Sequence, residues 1–256
     1  MNVKNDTRLV KEGVKLAVKA VIFDLIQTLT DPDSDKRLHM KIVDTLLKKF
    51  NIVDENIIEM TEKFNSILGK YYELAVHGGS FDIKYVLSST IEEFLREFGI
   101  RPSKEDEKFF FRIYWDIHAN NLEPRPGLIE TIVGLRTKKY RIALLSDDIL
   151  DYINRVLKKF RILDLFDVVS SSEEIGRMKP HPDAFKLVLN RLGCSSQDAI
   201  MVGDSLERDI RGAKALGMKT ILIKKYPNDR IRVKELPEEV RPDYVISYLI
   251  DLLKII

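Results

Sequence analysis

The sequence predicts an α/β protein: a parallel sheet with helices on both faces, interrupted by an inserted helical bundle. Three observations predict it. Four short apolar runs, at 20–23, 142–145, 199–202 and 220–223, are rich in Val and Ile and bounded by Asp, Ser or Gly, as strands buried on both faces are. Helical stretches at 128–138, 149–159 and 184–192 alternate with the later runs, which is the order of a parallel sheet wrapped by helices. Between about Asp35 and Leu122 that alternation stops and the periodicity is helical throughout.

Taken in order, residues 1–18 form an N-terminal extension that the pattern leaves open as a helix or an arm. The first strand follows at 20–23. Residues 31–123 then carry four apolar stripes. Leu38, Ile42 and Leu46 make the first, and Ile57, Met60, Phe64, Ile67, Tyr71 and Leu74 the second. Ile83, Val86, Thr90, Phe94 and Phe98 make the third, and Phe109, Ile113 and Ile117 the fourth. Asp54 and Ser103 occupy the positions expected of N-caps, with Asp106 three residues after Ser103. The run EPRPG, from Glu123 to Gly127, has the prolines and glycine of a boundary, so 19–30 and 124–256 are expected to make one sheet domain. Weaker runs at 168–169 and 244–246 are candidates for edge strands.

The 256 residues, 45% of them hydrophobic, suffice for a core without staples. With 42 basic residues against 40 acidic, the net charge of +2 gives no global field for nucleic acid or a membrane surface. The single Cys194 excludes an internal disulfide framework and suits a reducing compartment. No apolar run approaches the roughly 18 residues of a membrane span. The first 20 residues interleave charges where a signal peptide needs an apolar stretch. A cytoplasmic protein with neither nucleic acid nor membrane as partner is expected; the oligomeric state is open.

Polar residues at strand ends carry the chemistry. Asp24 ends the first strand, and in such sheets function gathers at the carboxyl ends. Ser146 ends the next main strand, followed by Asp147; its hydroxyl can serve an anion or cap a helix. Lys179 precedes two prolines in MKPHP, where a rigid turn could hold a point charge for a phosphate. Asp204 follows Gly203 at the end of a strand, with Asp209 one turn on. Acids converging there would make an oxygen-rich site for a hard cation such as Mg²⁺.

These segments, in this order, resemble the haloacid dehalogenase-like superfamily, within its phosphatase branch. The resemblance runs over about 19–225 and implies a Rossmann-like core with the helical insert as a cap over the site. It implies that Asp24 attacks a phosphoryl group of a small phosphorylated substrate and becomes an aspartyl phosphate. It implies further that Ser146, Asp147 and Lys179 bind that substrate, and that Asp24, the carbonyl of Ile26, Asp204 and Asp209 hold Mg²⁺.

One position departs from the pattern. The phosphatases carry a second Asp, the general acid, two residues after the nucleophile, and Ile26 stands there. A positioned acid is worth about 10²–10⁴ in rate. Two further readings follow: a weakened member that binds a phosphorylated ligand or partner, and a haloacid dehalogenase, which the retained metal acids disfavour. Asp31, Asp33 and Asp35 open like a calcium loop, but Lys36 and Ile42 stand where it needs Gly and Glu. They are assigned to the linker and bundle, as candidate substitute acids. His39, His77, His118 and His181 show no metal-ligand spacing, and His77, before Gly78 and Gly79, is a candidate to face substrate.

Overall fold

A computed structural model describes residues 18–78 and 82–256. The expected extension, apart from Val18, lies outside the described residues, and so does Gly79.

Six parallel strands, β1 (Ala20–Phe23), β2 (Arg141–Ser146), β3 (Val168–Ser171), β4 (Ala199–Gly203), β5 (Lys219–Ile223) and β6 (Tyr244–Ile246), form one sheet in the order β3-β2-β1-β4-β5-β6. The two weak runs are its edges. An edge strand has one neighbour and less cover, which is why their apolar signal is diluted. Phe23 sits in register with Leu144 on one side and Val202 on the other, so β1 is central.

Alternation along β1 divides the core into two layers. Val21 and Phe23 pack with Ile142, Leu144 and residues of α5 (Leu128–Thr137) and α6 (Leu150–Lys159). Ala20 and Ile22 face Phe185 and Val188 of α7 (Pro182–Leu192) and Ala213 of the short α8 (Arg211–Ala215). The chain ends in α9 (Leu252–Ile255) against the first layer.

The inserted bundle is α1 (Pro32–Lys49), α2 (Ile57–Gly78), α3 (Ile83–Arg96) and α4 (Lys104–Asn121). Phe64 is its centre, edge-on to Phe94 at 5.6 Å and to Phe110 at 6.1 Å between ring centroids. Two expectations are corrected here. Leu74 is 50% exposed, and Ala75 takes the inward position as the stripe drifts round the helix. Asp54 does not cap α2; Asn56 does, its Oδ1 accepting from the backbone of Ile58 at 3.0 Å. Ser103 and Asp106 form the expected capping box on α4.

The two chain crossings between sheet and bundle are tied together. Thr30 bridges to Pro124, Asp31 N donates to Glu123 O at 2.9 Å, and Arg125 N donates to Leu29 O at 2.8 Å. The buried Arg125 guanidinium donates to Lys224 O at 3.0 Å and to Gln27 O.

Candidate active site

The site lies at the carboxyl ends of β1, β2 and β4, where the strand order reverses. Asp24 follows the last residue of β1, with its backbone N–H bonded to Val202 O at 3.0 Å. Lys179, 1% exposed, arrives from the loop before α7, and its Nζ donates to Asp24 Oδ1 at 2.6 Å and to Asp209 Oδ1 at 2.7 Å. The Lys179–Pro180 peptide is cis. Asp204 leaves β4 through Gly203, and Asp209 lies in the wide π-helical turn Leu206–Ile210. A Cβ on Gly203 would stand 2.2 Å from Asp209 Oδ2, so only glycine lets that carboxylate in.

Of the sequence-read residues, Asp24, Lys179, Asp204 and Asp209 come together, and Ser146 and Asp147 close the site from β2. Ser146 Oγ donates to Asp148 Oδ2 at 3.0 Å. The Asp147 carboxylate is engaged within the protein: its Oδ1 accepts from Lys179 N at 2.9 Å and from Ser172 Oγ at 2.6 Å, and its Oδ2 is 3.6 Å from Arg208.

Carboxylate oxygens of Asp24, Asp204 and Asp209 lie within 4.8 Å of one another. Burial pushes the Asp24 carboxyl up to about 6, against the pull of Lys179. Burial and then Asp24 push Asp204 up to about 7. Buried acids that cannot all ionise comfortably are what a cation would relieve, so the all-oxygen donor set fits a hard divalent ion. Both oxygens of Asp209 already accept hydrogen bonds, from Lys179 and from Ser205 N at 3.1 Å, which fits a supporting place rather than direct ligation.

A profile of the family described as haloacid dehalogenase-like hydrolase matches residues 60–223. The chain belongs to this family. This HAD-like hydrolase is 26% identical to a glyceraldehyde 3-phosphate phosphatase of Methanocaldococcus jannaschii, over 93% of its own length and 97% of the relative's. It is 31% identical to the pyrophosphatase PpaX of Halalkalibacterium halodurans over 54% of its length, a match that spans 62% of that relative. A crystal structure of an HAD phosphatase from Thermococcus onnurineus superposes with a TM-score of 0.65 at 28% identity, covering 93% of this chain and 97% of that one.

The hydrolase has a cavity of about 740 Å³ between sheet and helical cap. Asp24, Ile26, Ser146, Asp147 and Asp148 line its floor, and Tyr72, His77, Asp35, His39 and His118 line the cap side. The three clustered acids of the linker separate. Asp31 caps α1 by accepting from Ser34 N at 2.8 Å, Asp33 accepts from the Tyr226 hydroxyl at 3.0 Å, and Asp35 reaches the cavity. His181 caps α7 away from it.

Sequence reasoning missed Asp148, Arg208, His39 and His118 as cavity residues. Burial pushes the Asp148 carboxyl up to about 7. Burial opposes the charge on Arg208, but Asp147, Asp209 and Asp204 outweigh it and its pKa is raised. A signal for His39 was present: Asp35 and His39 are four apart on one helix, hence on one face. His118 lies one turn beyond Tyr114 on the buried face of α4, one residue on from the stripe Phe109, Ile113 and Ile117 read from the sequence.

Proposed function

We propose that this HAD-like hydrolase is a Mg²⁺-dependent phosphatase that opens a small phosphate ester through an aspartyl phosphate on Asp24. The observation that carries the reading is the buried Asp24 carboxylate at the end of β1, held by Lys179 at 2.6 Å beside Asp204. The phosphatase named among its relatives over nearly the full length supports it. In this reading 19–30 and 124–256 form the core domain and 31–123 the cap domain that selects substrate.

Asp24, Asp204 and the carbonyl of Ile26 would hold Mg²⁺ with Asp209 in support, and the ion would offset negative charge on nucleophile and phosphate. Lys179 keeps a negative oxygen on Asp24 and offers its charge to the phosphoryl group. The Ser146 hydroxyl turns from Asp148 to a phosphoryl oxygen. Asp147 fixes the Lys179 loop through its carboxylate and borders the bound phosphate. Asp24 attacks phosphorus, the ester oxygen departs, and water later hydrolyses the acyl phosphate. Ile26 supplies no proton to the departing oxygen.

A screen of aryl and alkyl phosphates with and without Mg²⁺ tests this. Metal-dependent turnover that falls to background in Asp24→Asn is expected. Turnover within a few-fold of the parent in that variant would place the chemistry elsewhere. Ile26 favours one second reading, a weakened member that binds a phosphorylated ligand; binding of such a ligand without any turnover would select it.

A further inference from the structure

On the cap side of the cavity, away from the acids of the strand ends, Asp35, His39 and His118 converge. All three are nine-tenths or more buried, at 7%, 9% and 3% exposure. Asp35 and His39 are one turn apart on α1, and α4 brings His118 to face them, with the two imidazole centroids 5.1 Å apart. Donor atoms of the three lie within 4.8 Å of one another. We propose that Asp35, His39 and His118 form a second metal site in the cap, for a divalent transition-metal ion of the zinc class.

Each ligand is prepared for that task by a neighbour. His39 Nδ1 pairs with Asn65 Oδ1 at 2.5 Å, so its proton sits there and the Nε2 lone pair is left free. That Nε2 is buried without a hydrogen-bond partner. A buried lone pair with no donor near it is what a bound cation would satisfy. The Tyr114 ring stacks on His118 at 4.6 Å and 20°, and Tyr152 stands edge-on to it at 6.3 Å, which holds the imidazole in place. Gln27 Nε2 donates to Asp35 Oδ2 at 3.2 Å, while Asp35 Oδ1 faces His118 Nδ1 at 3.9 Å. That separation is too long for a hydrogen bond and can be spanned by one cation with bonds of about 2.0–2.2 Å.

The donor chemistry separates this place from the strand-end site. Two imidazoles and one carboxylate suit zinc-class ions, whereas Mg²⁺ takes oxygen ligands and keeps its waters. Three protein ligands leave a fourth position open, and here it would open on the cavity that holds Asp24.

The test uses the full chain, stripped with chelator and returned to millimolar Mg²⁺, then titrated with Zn²⁺ by calorimetry and with Co²⁺ by visible absorption. One equivalent of Zn²⁺ is expected, weakened at least about 100-fold in His39→Gln and His118→Phe and unchanged in Asp204→Asn. Circular dichroism checks folding, and the milder Asp35→Asn, expected to weaken Zn²⁺ in the same sense, stands in for a histidine variant that does not fold. Absence of Zn²⁺ binding over the Mg²⁺ background overturns the proposal. Binding that Asp204→Asn removes and the cap variants spare also overturns it, since the ion would then sit among the strand-end acids. Neither readout depends on phosphatase turnover, so the two readings fail separately.

Discussion

Lys179 holds two carboxylates at once, those of Asp24 and Asp209, in a place that water scarcely reaches. Removing one member of a buried ion cluster leaves the others uncompensated, which typically costs about 3–5 kcal/mol. Lys179→Met is therefore expected to be destabilised in urea unfolding by about that amount, and to lose turnover because Asp24 and the phosphoryl group lose the cation that favours their negative charge. An unchanged urea midpoint would show that the charges are balanced by other groups. Ile26 gives a second residue-scale expectation. Aryl phosphates leave as stable anions, whereas alkyl phosphates need a proton, so the parent should favour the former. Ile26→Asp should raise alkyl turnover selectively, by up to about 10²-fold. A parent that cleaves both alike already has an acid in its cavity, with Asp148 and His77 among the lining groups. The strand-end residues were legible because each stands in a short motif whose order along the chain is diagnostic. Asp35, His39 and His118 were not, because they are polar residues outside the apolar stripes read for α1 and α4, and helical period does not report whether a cavity lies on a face.

Among the elements, the four central strands were legible from uninterrupted apolar runs, and the four bundle helices from their stripes. Helix ends were less so. Asp54 resembled a cap in sequence, yet its backbone adopts φ 64°, and Asn56, two residues nearer the helix, does the capping. At the carboxyl end of β3, Glu174 takes both Arg191 guanidinium nitrogens at 2.8 and 2.7 Å, which ties that edge strand to α7. The Arg191 bond, against the opposing effect of burial, holds the Glu174 carboxyl below its ordinary value. A carboxyl whose pKa is lower folded than unfolded stabilises fully above the unfolded value of about 4.3. That contribution disappears as pH falls through the lower folded value. Arg191→Ala should thus cost about 1 kcal/mol in urea unfolding at pH 7 and markedly less at pH 3. An equal cost at both pH values would assign the loss to packing of the arginine stem.

At the scale of the whole molecule, the insertion of a helical bundle between the first and second strands was legible from a change of period alone. Which cap side chains meet the sheet was not, since it depends on how α1 and α4 are rotated over the strand ends. The insertion also sets an order of events during synthesis and refolding. The cap helices pair largely with neighbours in sequence, α2 with α3 above all, and such local contacts close quickly. Strand β1 leaves the ribosome before any of them, but its partners in register, Leu144 and Val202, are made much later. Asp24 is thus synthesised before the helical bundle and fixed in place only after the bundle has folded. In pulsed hydrogen exchange during refolding, amides of α2 and α3 are expected to gain protection before those of β1. Simultaneous protection would mean that sheet and bundle condense as one nucleus. A ribosome stalled before residue 179 would carry a folded cap above an Asp24 that has not yet been given its lysine.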